Sequence, residues 1–156
     1  MKRNIWWGLL ILLILFLFFS IRFGYNQKIE VAENKVNEDW VELIKVVDGD
    51  TIIVKIDDKI ESVRLIGIDA PEMEEKTKIK AIESKQYLEN LLKNQKIYLE
   101  KDETQDDRDI YNRLLRYIYL ENGTLINKKM IEADMADEYT FKIPYKYQRE
   151  FRVLEE

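Results

Sequence analysis

Three Val- and Ile-rich runs, Trp40–Val47, Thr51–Ile56 and Ile60–Ile68, are each separated by only three residues, Asp48-Gly49-Asp50 and Asp57-Asp58-Lys59. No other feature constrains the fold as much. Gaps this short, built from Asp, Gly and Lys, are turns, and they join antiparallel neighbours because a parallel connection needs a dozen or more residues. The sequence therefore predicts a three-strand meander. Over about Lys76 to Lys93 the period lengthens, with Ala81, Leu88, Leu91 and Leu92 set among charges as on an amphipathic helix. Strand character returns at Lys96–Glu100 and at Leu114–Leu120, the second run closing on an Asn122-Gly123 turn. A short helix over Asn127–Ala133 follows, and Pro144 opens a last helix with Tyr147, Phe151 and Leu154 on one face. This order predicts an α+β domain over residues 40–156, a five-stranded OB-fold β-barrel with about three helices.

Residues 1–24 predict a hydrophobic helix ahead of the domain. Ile5 to Phe19 is apolar apart from Gly8 and is preceded by Lys2 and Arg3. Counting Ile21 and Phe23 brings the stretch close to the roughly 20 residues that span a bilayer. No small-x-small cleavage pattern follows, so an uncleaved signal-anchor is expected, with secretion after cleavage as the alternative. Lys2 and Arg3 hold the N-terminus in the cytoplasm, which places the domain outside the cell membrane on a single-pass anchor. Residues 25–39 are polar without a period and read as a tether. All 30 acidic residues lie beyond Gln27, and setting aside Lys2, Arg3 and Arg22 leaves 22 basic residues against them, a net charge of −8. Such a domain does not attract nucleic acid through its overall field, so any phosphate chemistry must rest on local arginines and a bound cation.

The chain has no histidine and no cysteine. It therefore cannot build a Ser-His-Asp triad, a Cys-His pair, or a zinc site from imidazole or thiolate. Oxygen ligands remain, and they suit hard cations such as Ca²⁺. The densest carboxylate segments are Asp48-Gly49-Asp50-Thr51 and Arg64-Leu65-Ile66-Gly67-Ile68-Asp69-Ala70-Pro71-Glu72. A meander brings the end of its first strand near the end of its third, so Asp50 and Asp69 can converge on one cation with a carbonyl near Ala70 as a further ligand. Taken singly each segment is an ordinary acidic turn, and Arg64 alone a solvated strand residue. Asp102, Thr104 and Asp106 alternate as in an EF-hand, but Asp107 stands where Gly is required and Arg113 where Glu is, which excludes that loop.

The two segments together resemble the signature segments of the staphylococcal nuclease (thermonuclease) family, and Asp109-Ile110-Tyr111-Asn112-Arg113 resembles its third. The likeness runs from about Trp40 to the C-terminus. It implies a calcium-dependent nuclease acting on DNA and RNA and leaving 3′-phosphates. By motif position, Asp50 and Asp69 would hold Ca²⁺ with the Ala70 carbonyl assisting, and Arg64 and Arg113 would clamp the phosphate. Glu72 would orient or deprotonate the attacking water. Tyr111 is a candidate phosphate contact, and Tyr139 falls near a base-stacking position, with Phe141 near a second. The third segment departs from the family in carrying Asn112 where glycine usually precedes the arginine, and Ile110 where the prototype has lysine. Asn tolerates a left-handed backbone, so the turn that aims Arg113 is expected to survive. Family members have a longer last helix than this chain supplies, from which lower stability than a version extended by two turns is expected. A monomer is expected, and the alternative function is a non-catalytic OB-fold module binding nucleic acid or protein at the envelope.

Overall fold

The structure, a computed structural model, describes residues 40–155; the predicted hydrophobic helix and tether lie outside them. The meander forms as β1 (Trp40–Val46), β2 (Thr51–Ile56) and β3 (Lys59–Leu65), with β1 and β3 both antiparallel to β2. A short β4 (Ile68–Asp69), helix α1 (Lys78–Leu92), β5 (Ile97–Glu100) and β6 (Leu114–Leu120) follow. Helix α2 (Ile126–Glu132), β7 (Asp137–Glu138) and α3 (Gln148–Val153) complete the order.

Five strands close into a barrel in the order β1-β2-β3-β6-β5, the connectivity of an OB-fold. Closure removes open sheet edges, and it is achieved by the parallel pairing of β3 with β6, Val63 opposite Leu114 and Leu65 opposite Arg116. The interior is filled by alternating residues from each strand, among them Ile52, Val54, Val63, Leu65, Ile97 and Ile118, all fully buried. In β1 the register shifts between Leu43 and Lys45, a bulge that turns Ile44 outward. Helix α1 buries Ala81, Ser84, Leu88 and Leu92, each about one turn from the next, while Leu91 is half-buried. Helix α2 buries Asn127, whose Oδ1 accepts from Ile118 N at 2.9 Å and whose Nδ2 donates to Ile66 O at 2.8 Å. This one side chain ties β6 to the end of β3, and burial without those bonds would cost about 1–3 kcal/mol.

Two expectations change. The third strand ends at Leu65 instead of Ile68, because Gly67 takes a left-handed φ of 79° and turns the chain out of the barrel. Ile68 and Asp69 then pair with Glu138 and Asp137 in a separate two-stranded sheet. Gly67 also leaves no room for a side chain, since a Cβ there would lie 2.5 Å from the Tyr145 ring. Pro144 does not open the last helix. It precedes Gln148 by an irregular stretch, and its carbonyl accepts from Gln105 Nε2 at 3.1 Å. Phe151 and the flanking Tyr147 and Leu154 still pack on the core, as their spacing predicts. Among the described residues, no helix is long and apolar enough to cross a membrane.

Candidate active site

The β1–β2 turn is drawn tight by its own side chains and by helix α1. Asp50 N donates to Asp48 Oδ1 at 3.0 Å, and Val47 N donates to Thr51 O at 2.9 Å. Gly49 is required by close approach: an added Cβ would sit 1.9 Å from Ser84 Oγ and 2.6 Å from Ala70 Cβ. The helix thus presses the turn against the segment that carries Asp69 and Ala70. Ala70 N donates to Asp50 Oδ2 at 2.9 Å, which joins the two acidic segments directly.

Arg64 stands between them. Its Nε lies 3.1 Å from Asp50 Oδ1, and its Nη2 donates to Asp69 Oδ1 at 2.8 Å. Its Nη1 donates to the carbonyls of Leu65 and Ile68, each at 2.7 Å, so the same guanidinium braces both sides of the Gly67 turn. Asp50 is 7% exposed. Burial pushes its carboxyl up to about 6, against the downward pull of Arg64 and of the Ala70 N–H. One guanidinium shared with Asp69 is therefore not enough positive charge for this pocket.

The opposite wall is the loop before β6. Asp109 Oδ1 accepts from Tyr111 N and Arg113 N, each at 2.9 Å, and Oδ2 accepts from Arg113 Nε at 2.6 Å. Burial alone would raise the Asp109 carboxyl, but these bonds outweigh it and hold it below the usual carboxylate range. Asn112 adopts the left-handed conformation expected of it, with φ of 65°. Arg113 Nη1 donates to Thr51 Oγ1 at 3.2 Å, and the guanidinium lies 5.4 Å from the Tyr111 ring centre. Of its five N–H groups, these contacts use two, leaving three without a partner among the described residues.

A cleft of about 510 Å³ opens between the walls, lined by Asp48, Asp50, Arg64, Asp69, Glu72, Tyr111, Arg113, Tyr139 and Phe141 among others. The expected cation, catalytic and substrate-contact residues Asp50, Asp69, Arg64, Glu72, Arg113, Tyr111 and Tyr139 all face it, whereas Ala70 is buried behind Asp50. Glu72 is exposed on the rim. Its carbonyl accepts from Thr77 Oγ1 at 2.6 Å, while its carboxylate has no partner among the described residues. Tyr111 is 74% exposed, which fits a contact residue and not a packed turn tyrosine. Tyr139 and Phe141 stand at the far edge as a tilted pair 6.4 Å apart, and Tyr139 N is anchored to Gly67 O at 3.0 Å. Asp102 turns away from the cleft, and its carboxylate accepts from Tyr117 Oη, Lys146 N, Thr104 N and Thr104 Oγ1. That network removes any role for it in an EF-hand-like loop.

Asp50 and Asp69 offer the hard oxygen donors that Ca²⁺ takes, and the raised Asp50 carboxyl marks a place where added positive charge is favourable. The ring of protein ligands is sparse. Among the described residues no group of three or more His, Cys, Asp or Glu side chains is gathered tightly enough to hold a metal by itself. Water and substrate oxygens would complete such a shell.

Reasoning from sequence did not single out Asp109, Thr51, Ser84 or Tyr145 as parts of the site. Asp109 had a signal in its i,i+4 spacing to Arg113; the others are brought in only by packing.

Residues 62–156 match the family described as Staphylococcal nuclease homologue, and the chain belongs to that family. It is 36% identical over 118 residues to a Thermonuclease of Staphylococcus hyicus, covering 74% of this chain and 68% of that one. It is 35% identical over 95 residues to a Thermonuclease of Staphylococcus intermedius, covering 59% and 55%. Over 141 residues it is 28% identical to Endonuclease YncB of Bacillus subtilis (strain 168), covering 85% of this chain and 66% of that protein.

Proposed function

We propose that the chain is a nuclease that hydrolyses phosphodiester bonds in DNA and RNA with Ca²⁺ as cofactor, leaving 3′-phosphates. The observation that carries this reading is the meeting of two guanidiniums and two carboxylates on one cleft, Arg64 bonded to Asp50 and Asp69, and Arg113 facing them through Thr51. The names of the relatives, thermonuclease and endonuclease, support it. Asp50 and Asp69 would hold the cation, with the Ala70 carbonyl as a further ligand. When bound, it supplies charge that polarises a phosphoryl oxygen.

The chain's own groups divide the remaining work. Arg113 presents three N–H donors to the phosphate oxygens in a fork suited to bidentate contact. Arg64 contributes its last free Nη2 hydrogen and fixes the carboxylates. Glu72, exposed and unpaired on the rim, orients the attacking water or takes its proton. Tyr111 is exposed and its hydroxyl can hydrogen-bond a phosphate, while Tyr139 and Phe141 offer exposed ring faces on which bases of a single strand can stack. The same reading holds the domain as a monomer outside the cell membrane on its N-terminal hydrophobic segment, or secreted after cleavage. Incubating the full chain in detergent with single-stranded DNA tests the proposal. Cleavage with Ca²⁺ that stops with chelator, and 3′-phosphate ends on the products, are expected. A folded protein that binds the strand without cutting it would instead be the OB-fold binding module.

A further inference from the structure

We propose that Thr51 is a positioning residue whose single hydroxyl fixes the phosphate-facing guanidinium of Arg113 against the carboxylate of Asp50. The inference rests on the reading of the cleft as a phosphodiester site, and its test is separable from that reading. Among the described residues no hydrogen bond or ion pair joins Asp50 and Arg113 directly; Thr51 is the link. Its Oγ1 donates to Asp50 Oδ1 at 2.9 Å and accepts from Arg113 Nη1 at 3.2 Å. A hydroxyl has one hydrogen and two lone pairs, so both bonds form at once and neither displaces the other.

The position is built to hold that geometry. Thr51 is 4% exposed, which leaves little room for water to compete for its hydroxyl. Its backbone is pinned on two sides, with its carbonyl accepting from Val47 N and Asp48 N and its Cα opposite Arg64 in the β2–β3 ladder. As a β-branched residue it has few χ1 choices. Arg113 is then held at two points, Nε by Asp109 and Nη1 by Thr51, and a guanidinium fixed at two atoms of its plane cannot rotate. Its remaining three donors are thereby aimed. A threonine serving only as a buried strand residue would be replaceable by valine, which has the same shape without the hydroxyl.

The experiment compares the wild-type full chain with Thr51→Val and Thr51→Ser, in detergent. It uses steady-state cleavage of a single-stranded DNA with Ca²⁺, and NMR of the Arg113 guanidinium. In the wild type the Arg113 Nη1 and Nη2 signals should be resolved, as hindered rotation requires. In Thr51→Val they should merge. In the same variant kcat should fall by about 10- to 100-fold, as misplacement of a binding group does, with KM little changed. Thr51→Ser should recover both readouts. Merged Arg113 signals in the wild type, or a Thr51→Val protein with resolved signals and undiminished kcat, overturn the proposal. If Thr51→Val does not fold, Thr51→Ala removes the same hydroxyl, and the same merging of the Arg113 signals and fall in kcat are expected of it, their absence overturning the proposal. If no protein cleaves DNA, the proposed function fails, while the Arg113 signals still report on Thr51.

Discussion

The two arginines of the cleft are chemically identical and structurally opposite. Arg64, on β3, gives three N–H groups to Leu65 O, Ile68 O and Asp69, and sets its Nε on Asp50, so almost all of its donor capacity is absorbed by the protein. Arg113, on the edge of a loop, gives two and keeps three. The difference teaches that one wall of the site is a frame and the other a hand. The frame is buried and held by the barrel, by Ser84 against Gly49 and by Tyr145 against Gly67. The hand is a loop stiffened from within by Asp109, carrying exposed Tyr111.

Substituting each arginine by alanine should separate these roles, and it carries the largest expected effects. Both variants should lose about 10²–10³ in kcat, as removal of a charged donor to a transition state does. Arg64→Ala should also cost about 3–5 kcal/mol of stability, because it strands the buried Asp50 carboxylate. Thermal unfolding is the check. A melting temperature for Arg113→Ala as low as that of Arg64→Ala would erase the distinction between frame and hand.

A smaller effect should follow from Asp50. Its carboxyl is raised from 3.8 to about 6 in the folded chain, so the folded state holds a proton that the unfolded state has released. The stability it contributes is complete below about pH 3.8 and is lost as pH rises through about 6. In protein treated with chelator, unfolding measured against pH should show that loss, and Asp50→Asn should lack it. A bound cation needs the ionised form, so Ca²⁺ titration by calorimetry should give weaker binding at about pH 5 than at about pH 7. Equal affinity at both would remove Asp50 from the cation site. The smallest effect belongs to the rim. Tyr111→Ala should raise KM, by an amount corresponding to about 1.5–3 kcal/mol for a lost hydrogen bond to a charged phosphate, and leave the melting temperature unchanged. A loss of stability would make Tyr111 part of the loop's structure instead of its contact surface.

Much of this was legible in the chain. The strand runs and three-residue turns specified the meander, and with it the convergence of Asp50 and Asp69 on the same end of the barrel. The spacing of Ala81, Leu88 and Leu92 gave the inner face of α1, and Asn112 before Arg113 pointed to the left-handed turn that is found. The end of β3 is not legible, because Ile66-Gly67-Ile68 continues the apolar pattern and nothing local says that Gly67 turns. The place of Pro144 is hidden for a related reason: a proline suits a first helical turn, but here its carbonyl accepts from Gln105, 39 residues away, and the helix starts at Gln148.

The sequence by itself determined which chemistry was possible. Without histidine or cysteine, reactive groups had to be carboxylates and guanidiniums, and these are named by their positions along the chain. Only the tertiary structure decided how each is used. Whether an arginine binds the protein or faces outward depends on which carbonyls, carboxylates and hydroxyls surround it, and those come from Ile68, Asp69, Asp109 and Thr51 on three different segments. Hydrogen bonds act over about 3 Å. Sequence distance carries no information at that range until the barrel has closed.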